Sequence, residues 1–395
     1  MLRRKCSNFL KFTKMHICFL TNEFPKEGFP HGGIGSFVKT LAIALVKKGI
    51  RVSVVGINYI SNDETELIEG INVYRVKRST VKGFSWYFNS KAINKKVKDI
   101  HVQHPVDVIE SSELGLAFIH KIKRIKYIIR LHGGHHFFAE SEKRKINKWK
   151  GFQEKGSFKK SDAFVAVSHY VKTHTEKYLS FHNKPIAYIC NPIDTNFFKP
   201  VVGNEFENRI VFAGTVCEKK GVRQLIQAFP LVKKEFPNAT LEIYGRDWFF
   251  PDGSSYIQML KEKELPQLKE VAKDVHFHGS VSFANIPLVY SEAEVCVFPS
   301  HMETQGLVAP EAMAMEKAVV FTKYGPGPEA VEEYKTGLLC NPYNPEDIAN
   351  KIVWFLSHKN EARLIRKKAR EFVISKYNLE NIVYYNIDFY LFLIN

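Results

Sequence analysis

The sequence lacks the features that mark several classes of protein. No apolar run approaches the roughly 18 residues that a membrane-spanning helix needs. The six cysteines are widely scattered and none forms a Cys-x-x-Cys pair, which favours buried, reduced thiols in a cytoplasmic protein over a disulfide scaffold. There is no internal repeat and no low-complexity segment. At 395 residues, with 45% apolar and 25% charged side chains, the chain is expected to form a globular protein of two domains.

Two common ligand-binding motifs are also missing. The Gly-Gly-x-Gly turn at residues 32–35 differs from the Gly-x-Gly-x-x-Gly fingerprint of dinucleotide-binding domains, and no Asp-x-Asp sequence occurs. His132, His135 and His136 are close enough in sequence to suggest zinc, but their loop contains no acidic partner. We therefore predict a protein with neither a metal ion nor an organic cofactor.

Positive charge is concentrated in the first half of the chain. Residues 1–200 contain 35 Lys and Arg against 16 Asp and Glu, whereas residues 201–395 contain 22 against 25. The most basic stretch, residues 143–160, has Trp149 and Phe152 among its lysines. Such a surface attracts an anionic membrane, nucleic acid or an anionic substrate, or it is simply solvated. Peripheral contact with the inner face of the plasma membrane is our interpretation, and nucleic acid is the alternative.

The first 14 residues are basic and resemble the beginning of a signal peptide. The apolar run that follows them is too short for such a peptide and is interrupted at once by polar residues and proline. We interpret residues 1–14 as a basic N-terminal extension of a cytoplasmic protein. The alternative is that translation starts at Met15.

Strand and helix patterns alternate through the first half. Apolar residues predict a strand at 15–21, helical spacing predicts a helix at 36–48, and a second strand follows at 51–56. This alternation is typical of a parallel, Rossmann-like α/β domain, here residues 15–192. Further strands are predicted at 71–76, 106–111, 126–132, 163–168 and 185–190.

A second α/β domain follows a linker. Residues 193–208 are rich in Pro, Asn and Gly and predict the linker, and residues 209–375 repeat the strand-helix alternation of a Rossmann-like domain. The last segment, 376–395, is predicted to be a helix that packs back onto the N-terminal domain. Its aromatic residues would alternatively insert into a membrane interface.

Residues 295–320 contain the most informative pattern. An apolar strand is followed by a short polar loop, and a helix is predicted from residue 311 to 317. In a parallel sheet, ligands bind where strand ends and helix N-termini converge. Glu303 and Glu311 lie at this junction, where carboxylates can bind hydroxyl groups and backbone amides can bind phosphate. The pattern predicts a nucleotide-sugar site, the alternative being an ordinary loop with two solvated glutamates.

The segment from Glu303 onward, ETQGLVAPEAMAMEKAVV, resembles the Glu-x7-Glu motif of the retaining glycosyltransferases of family 4. The resemblance covers almost the whole chain after Met15. It implies the GT-B fold, in which two Rossmann-like domains face each other across a cleft. It also implies that Glu303 binds the sugar and Glu311 the nucleotide ribose. The diphosphate would be held by the backbone amides of Gly306, Leu307 and Val308.

A second segment, FAGTVCEKKG, resembles the Gly-Arg-x4-Lys-Gly diphosphate loop of that family. The resemblance places Gly214 in the donor site and makes Lys220 the cation that offsets the charge of the leaving diphosphate. The arginine of the family is replaced by Thr215, so either the amides suffice or another cation substitutes. The candidates are Lys219, Arg223 and Arg246.

Two residues of the first domain also match the family. Gly33 lies in a loop that resembles the family's glycine loop near the diphosphate and the acceptor. His132 follows a strand at a position where the family often has a histidine that contacts the sugar or the acceptor. A buried structural histidine is the alternative.

These features predict a cytoplasmic, metal-independent hexosyltransferase of class EC 2.4. It would transfer a sugar, with retention of configuration, from a nucleoside diphosphate sugar to a glycan or lipid-linked acceptor in cell-surface polysaccharide biosynthesis. The alternatives are another GT-B reaction, by a phosphorylase or a sugar-nucleotide epimerase, and non-catalytic binding of a nucleotide sugar or a polyanion.

Overall fold

A computed structural model describes residues 15–29, 32–141 and 144–395. The chain divides into two units: the residues up to Pro192 together with Leu379–Asn395 form the first, and Ile193–Asn378 form the second. The extension predicted at residues 1–14 lies outside the described residues. Within the described ranges, no helix is long and apolar enough to cross a membrane. Residues 193–208, predicted as a linker, are part of the second unit.

The first unit contains one eight-stranded sheet. Its strands are β1 (His16–Leu20), β2 (Arg51–Ile57), β3 (Glu64–Ile68), β4 (Ile71–Val76), β5 (Val108–Ser111), β6 (Lys126–Leu131), β7 (Ala163–Ala166) and β8 (Ile186–Tyr188). The strand order is β3-β4-β2-β1-β5-β6-β7-β8, and only the edge pair β3–β4 is antiparallel. The sequence pattern missed β3 because this edge strand is largely exposed and shows no apolar alternation.

Helices connect these strands. They are α1 (Gly33–Lys47), α2 (Ser85–Gln103), α3 (His135–Ser141), α4 (Lys148–Lys160), α5 (His169–Glu176) and, from the end of the chain, α13 (Leu379–Ile394). Helix α13 packs within this unit and adds Ile387 and Tyr390 to its apolar core. The hydroxyl of Tyr390 donates to Glu110 over 2.7 Å, and Arg130 pairs with the same buried carboxylate. The terminal helix is therefore held by apolar packing and by a buried polar network.

The second unit contains a six-stranded sheet that is parallel throughout. Its strands are β9 (Arg209–Ala213), β10 (Thr240–Tyr244), β11 (Val275–Gly279), β12 (Val295–Phe298), β13 (Ala318–Thr322) and β14 (Leu338–Cys340). The strand order is β11-β10-β9-β12-β13-β14. Because β9 lies between β10 and β12, the loops that follow these three strands are neighbours at one edge of the sheet.

The helices of the second unit are α6 (Val222–Glu235), α7 (Tyr256–Lys263), α8 (Ile286–Glu292), α9 (Val308–Ala314), α10 (Gly327–Ala330), α11 (Pro345–Ser357) and α12 (Lys359–Tyr377). Helix α9 differs from the predicted helix at 311–317, since it begins three residues earlier and ends three residues earlier. Pro310 is tolerated because it lies in the first turn, where its missing N–H is not needed. The helix ends before Glu316, whose φ of +56° is not helical.

Candidate functional site

The loop between β12 and α9 is shaped around Gly306. Its φ of +74° lies in the left-handed region, and a Cβ atom at this position would come within 2.4 Å of the Phe321 ring. A side chain is disfavoured on both counts. The backbone N–H groups of Gly306, Leu307 and Val308 donate no hydrogen bond to any residue that the structure describes. These three amides can therefore bind an anion.

Glu303 and Lys220 are in direct contact, although 83 residues separate them in sequence. The Nζ of Lys220 donates to Oε1 of Glu303, which is buried. Lys220 ends a short 3-10 turn, and the following residue, Gly221, has a φ of +70°. A Cβ atom on Gly221 would lie 1.9 Å from the carbonyl oxygen of Pro299. Glycine at this position therefore permits the loop after β9 to touch the end of β12.

This ion pair suits a ligand that carries both hydroxyl and phosphate groups. An ionised carboxylate such as Glu303 accepts hydrogen bonds from hydroxyls, and an ammonium such as Lys220 donates to oxyanions. The sequence placed both residues in one site, and the structure brings their side chains together within the second unit. Their contact also lets each charge compensate the other when the ligand is absent.

Glu311 lies in the first turn of α9 and is half-buried. Burial raises the pKa of Glu311 to about 7, and a hydrogen bond from the Tyr290 hydroxyl, 3.2 Å away, opposes this rise. The carboxyl group can thus change its ionisation near neutral pH. As a carboxylate it can accept two hydrogen bonds from adjacent hydroxyls, as on a ribose.

The loops after β9 and β10 approach each other closely. Gly214 and Gly245 have φ values of +152° and +155°, and a Cβ atom on Gly245 would lie 1.6 Å from the carbonyl oxygen of Gly214. Beyond the glycines, the N–H of Val216 donates to the carbonyl of Arg246 over 2.9 Å. The Arg246 side chain is exposed, and its Nε donates to the hydroxyl of Thr215 over 3.3 Å. An arginine therefore lies beside the threonine that breaks the sequence motif.

Arg223, another candidate cation, is already engaged. Its guanidinium donates to both carboxylate oxygens of Glu218, over 2.5 and 3.0 Å. Tyr256 donates to the same carboxylate over 2.6 Å. Although burial alone would raise it, these hydrogen bonds and a further one from Gln224 lower the pKa of Glu218 to about 2. This bidentate pair holds the turn that carries Lys220 rather than presenting a free charge to a ligand.

Gly33 and its neighbours open helix α1 in the first unit. A Cβ atom on Gly33 would meet nothing within 4 Å, whereas one on Gly35 would lie 1.9 Å from the carbonyl oxygen of Glu23. The sequence singled out Gly33, but the glycine that the packing requires is Gly35. The open space at Gly33 leaves room for a ligand beside the backbone.

His132 follows β6, as the sequence predicted, and is half-buried. Burial, together with the charge of Arg130, lowers the pKa of His132 to about 3. Its ring packs at a tilt against Phe37, with centroids 5.1 Å apart. The imidazole is therefore neutral at physiological pH and can act as a hydrogen-bond donor or acceptor but not as a cation.

The other two histidines of this loop have structural partners. His136 pairs through Nδ1 with Glu154, which also accepts from the backbone N–H groups of His135 and His136 over 2.8 and 3.0 Å. The Nε2 of His135 accepts from the backbone N–H of Asn147. The acidic partner absent from the loop is thus supplied by α4. In the described ranges, no cluster of three His, Cys, Asp or Glu side chains is arranged to hold a metal.

Glu113 is a candidate functional residue that the sequence patterns did not predict. It is buried, and its Oε1 accepts from the backbone N–H of Gly133 over 2.7 Å. Burial raises the pKa of Glu113 to about 8, with a further contribution from Glu154. In the sequence, Glu113 could have been recognised by its position two residues after the end of β5, because parallel sheets place functional side chains at the ends of their strands.

Both units match models of known protein families. Residues 194–372 match the family described as Glycosyl transferases group 1, and residues 31–197 match Glycosyltransferase Family 4. An uncharacterised glycosyltransferase of Methanocaldococcus jannaschii is 28% identical over 405 residues, covering 95% of this chain and 98% of the relative. The lipopolysaccharide 1,2-N-acetylglucosaminetransferase of Salmonella typhimurium is 32% identical over 175 residues, covering 44% and 45%.

Solved structures share the fold at low sequence identity. Sucrose-phosphate synthase from Thermosynechococcus elongatus has a TM-score of 0.83 at 20% identity, covering 96% of this chain and 99% of that one. Anabaena HepE, in complex with UDP-glucose, has a TM-score of 0.73 at 19% identity, covering 95% and 99%. The α/β GT-B fold predicted from the sequence is confirmed by such neighbours and by the two sheets, which are parallel except for the edge pair β3–β4.

Proposed function

The chain is a glycosyltransferase family 4-like protein of the GT-B fold, and we propose that it transfers a hexosyl group from a nucleoside diphosphate sugar to a glycan or lipid-linked acceptor. The observation that carries this proposal is the contact between Glu303 and Lys220 beside the three amides at 306–308. The relatives named glycosyltransferases, which cover nearly the whole chain, support the reaction class.

In the donor complex, each part of the site would bind a different part of the nucleotide sugar. Glu303 accepts from the sugar hydroxyls, Glu311 accepts from the ribose, and the amides of the β12–α9 loop bind the diphosphate. Lys220 donates to the diphosphate from the opposite loop, and Arg246 supplies the second cation in place of the missing loop arginine. Gly214 lets the backbone approach the phosphates without a side chain between them.

The chemistry of transfer matches this distribution of charge. When the bond from the anomeric carbon to the diphosphate breaks, positive charge develops on the sugar and negative charge on the leaving group. The Glu303 carboxylate stabilises the positive charge on the sugar. Lys220, Arg246 and the loop amides stabilise the negative charge on the leaving diphosphate. Because cations and amides of the chain offset the charge of the diphosphate, we propose that transfer needs no metal ion. Retention of configuration belongs to the same proposal and rests on the Glu-x7-Glu resemblance.

We assign the acceptor to the first unit. Its neutral His132 can contact a hydroxyl, and the open Gly33 turn can admit a ligand close to the backbone. The Salmonella relative is named for lipopolysaccharide, and HepE was solved with UDP-glucose, which supports a polysaccharide acceptor and a UDP-sugar as first candidates. A cytoplasmic enzyme of cell-surface polysaccharide synthesis, in peripheral contact with the membrane, is the setting we propose.

A donor panel tests the proposal. The protein is incubated with UDP-, GDP-, ADP- and dTDP-sugars, and free nucleoside diphosphate is measured with and without a chelator of divalent metals. Slow release from one donor, unaffected by the chelator and lost in Glu303→Ala, is the expected result. Donor-dependent thermal protection without release from any sugar would favour a binding protein. Phosphate-dependent turnover would indicate a phosphorylase, and interconversion of sugar nucleotides would indicate an epimerase.

A further inference from the structure

Helix α4 carries two of its three aromatic side chains on its outer surface. The face that packs into the unit consists of Gly151, Glu154, Ser157 and Phe158. Trp149 and Phe152, by contrast, are 45% and 62% exposed. Hydrophobic burial within the unit would favour the opposite orientation. The outward position of two large rings therefore needs an explanation outside the packing of this unit.

The start of α2 extends the same apolar area. Trp86 packs against Trp149 with ring centroids 5.3 Å apart, and Trp149 stacks on Phe152 at 5.9 Å. Phe118, in the loop after β5, lies 4.6 Å from Trp86 and supports the two tryptophans. Six exposed rings make up what we call the aromatic surface. They lie on α2, on the residue just before α2 and on α4: Phe84, Trp86, Tyr87, Phe88, Trp149 and Phe152.

Lysines lie beside these rings on the same side of α4. Lys148, Lys155 and Lys159 stand four, three and seven residues from Phe152, spacings that put side chains on one face of a helix. All three lysines are exposed and form no ion pair with a carboxylate in the described part of the chain. Two more exposed lysines follow the rings on α2: Lys91 and Lys95.

We propose that the aromatic surface and its lysines dock the protein onto an anionic lipid bilayer. Tryptophan and tyrosine prefer the interfacial region, where the ring enters the apolar boundary and the polar edge stays hydrated. Lysine ammonium groups at the rim reach the anionic headgroups while their methylene stems cover apolar surface. The combination of clustered rings and unpaired lysines on one helix face is the pattern of an interfacial segment. Docking of this kind does not depend on sugar transfer and is measured without any donor.

Two other occupants fit the surface less well. A second copy of the chain would bring identical lysine-rich faces together, which their positive charges oppose. Nucleic acid is attracted by lysine, but the rings of the aromatic surface contact one another at 5.3 to 5.9 Å, so part of the ring area on which bases would stack is already covered. A fluid bilayer adapts to such a packed and irregular group of rings.

Vesicle sedimentation of the full chain tests the proposal. Binding to phosphatidylcholine vesicles should be weak, and binding to vesicles that also contain phosphatidylglycerol should be stronger and should fall as salt is raised. Replacing Lys148, Lys155 and Lys159 together by Ala should weaken binding on the order of 100-fold, since each lysine near an anionic surface contributes about fivefold. Trp149→Ser with Phe152→Ser should weaken binding to the same vesicles without removing its salt dependence.

Matched substitutions in the second unit serve as controls. Phe249 is 58% exposed, and Lys234 and Lys263 are exposed as well, so Phe249→Ser and the two Lys→Ala changes should leave vesicle binding unchanged. Circular dichroism spectra and melting temperatures confirm that each variant is folded. Brominated phospholipids should quench Trp86 and Trp149, and Trp86→Phe with Trp149→Phe should remove most of that quenching.

Several results would overturn the proposal. Equal binding to neutral and anionic vesicles, or unchanged binding by the folded aromatic and lysine variants, would show that this surface does not dock on the bilayer. Binding of single-stranded RNA with no affinity for vesicles would assign the surface to nucleic acid. Self-association that the same substitutions abolish, again without vesicle binding, would assign it to a second copy.

Discussion

Replacing Arg246 tests whether this residue substitutes for the loop arginine that Thr215 displaces. Arg246 is exposed, and its Nε reaches the Thr215 hydroxyl at 3.3 Å. A charge-assisted hydrogen bond contributes about 1.5 to 3 kcal/mol, and exposure to solvent favours the lower end of this range. We therefore expect Arg246→Ala to weaken binding of a nucleoside diphosphate about tenfold.

Isothermal titration calorimetry with UDP and with uridine is the assay. Arg246→Ala should weaken UDP binding and leave uridine binding unchanged, because only UDP carries the diphosphate. Adding Thr215→Arg to Arg246→Ala should restore most of the lost affinity, since the two residues extend from loops joined by the hydrogen bond between Val216 and Arg246. Arg246→Lys should retain part of the affinity, because it keeps the charge but loses the planar guanidinium.

Arg223→Ala is the matched control for charge. Its guanidinium is held by Glu218, so its removal should affect the stability of the second unit more than the discrimination between UDP and uridine. The assignment of Arg246 would be refuted if UDP affinity did not change, or if UDP and uridine lost affinity equally. If no nucleoside diphosphate bound the wild-type chain, the proposed donor site itself would be wrong.

The remaining predictions concern Glu303, Glu311 and the glycines. Glu311→Ala should weaken donor binding while Glu303→Ala mainly lowers turnover, and equal loss of affinity with intact turnover would contradict this division. The pKa of Glu311 rises on folding from 4.5 to about 7, so the wild type loses stability as pH rises through this range. Glu311→Gln removes that cost, so urea unfolding should show the variant to be more stable than wild type by on the order of 1–3 kcal/mol at pH 8 and no more stable at pH 4. A difference in the free energy of unfolding that is the same at both pH values would exclude titration of Glu311 as the cause. Gly306→Ala should lower the free energy of unfolding by about 1–3 kcal/mol, because the position has a positive φ and a Cβ atom there would clash with Phe321. Gly33→Ala should change the free energy of unfolding by under about 0.5 kcal/mol, because a Cβ atom there meets nothing. Similar losses of stability in the two variants would refute the packing argument.

Much of the fold follows from local pattern alone. Short apolar strands alternating with amphipathic helices predict parallel sheets, because the side-chain periods of strand and helix are visible within a few turns of sequence. The edge strand β3 was not predicted, because its exposed residues follow no apolar pattern. The prediction placed the start of α9 three residues too late, because proline marks the first turn of a helix rather than only its first residue.

The sequence by itself determined which polar groups the β12–α9 junction contains, because Glu303, Gly306 and Glu311 lie within nine residues of one another. The family resemblance also assigned Lys220 to this site, but only the tertiary structure decided which side chains are in contact there. Lys220 reaches Glu303 and Arg246 reaches Thr215 because β9 lies between β10 and β12, and strand order depends on contacts across the whole chain. In the first unit, contacts between distant parts of the chain likewise place the rings of Trp86 and Trp149, which are 63 residues apart in sequence, 5.3 Å apart in space. Local periodicity specifies elements, whereas long-range packing specifies neighbours.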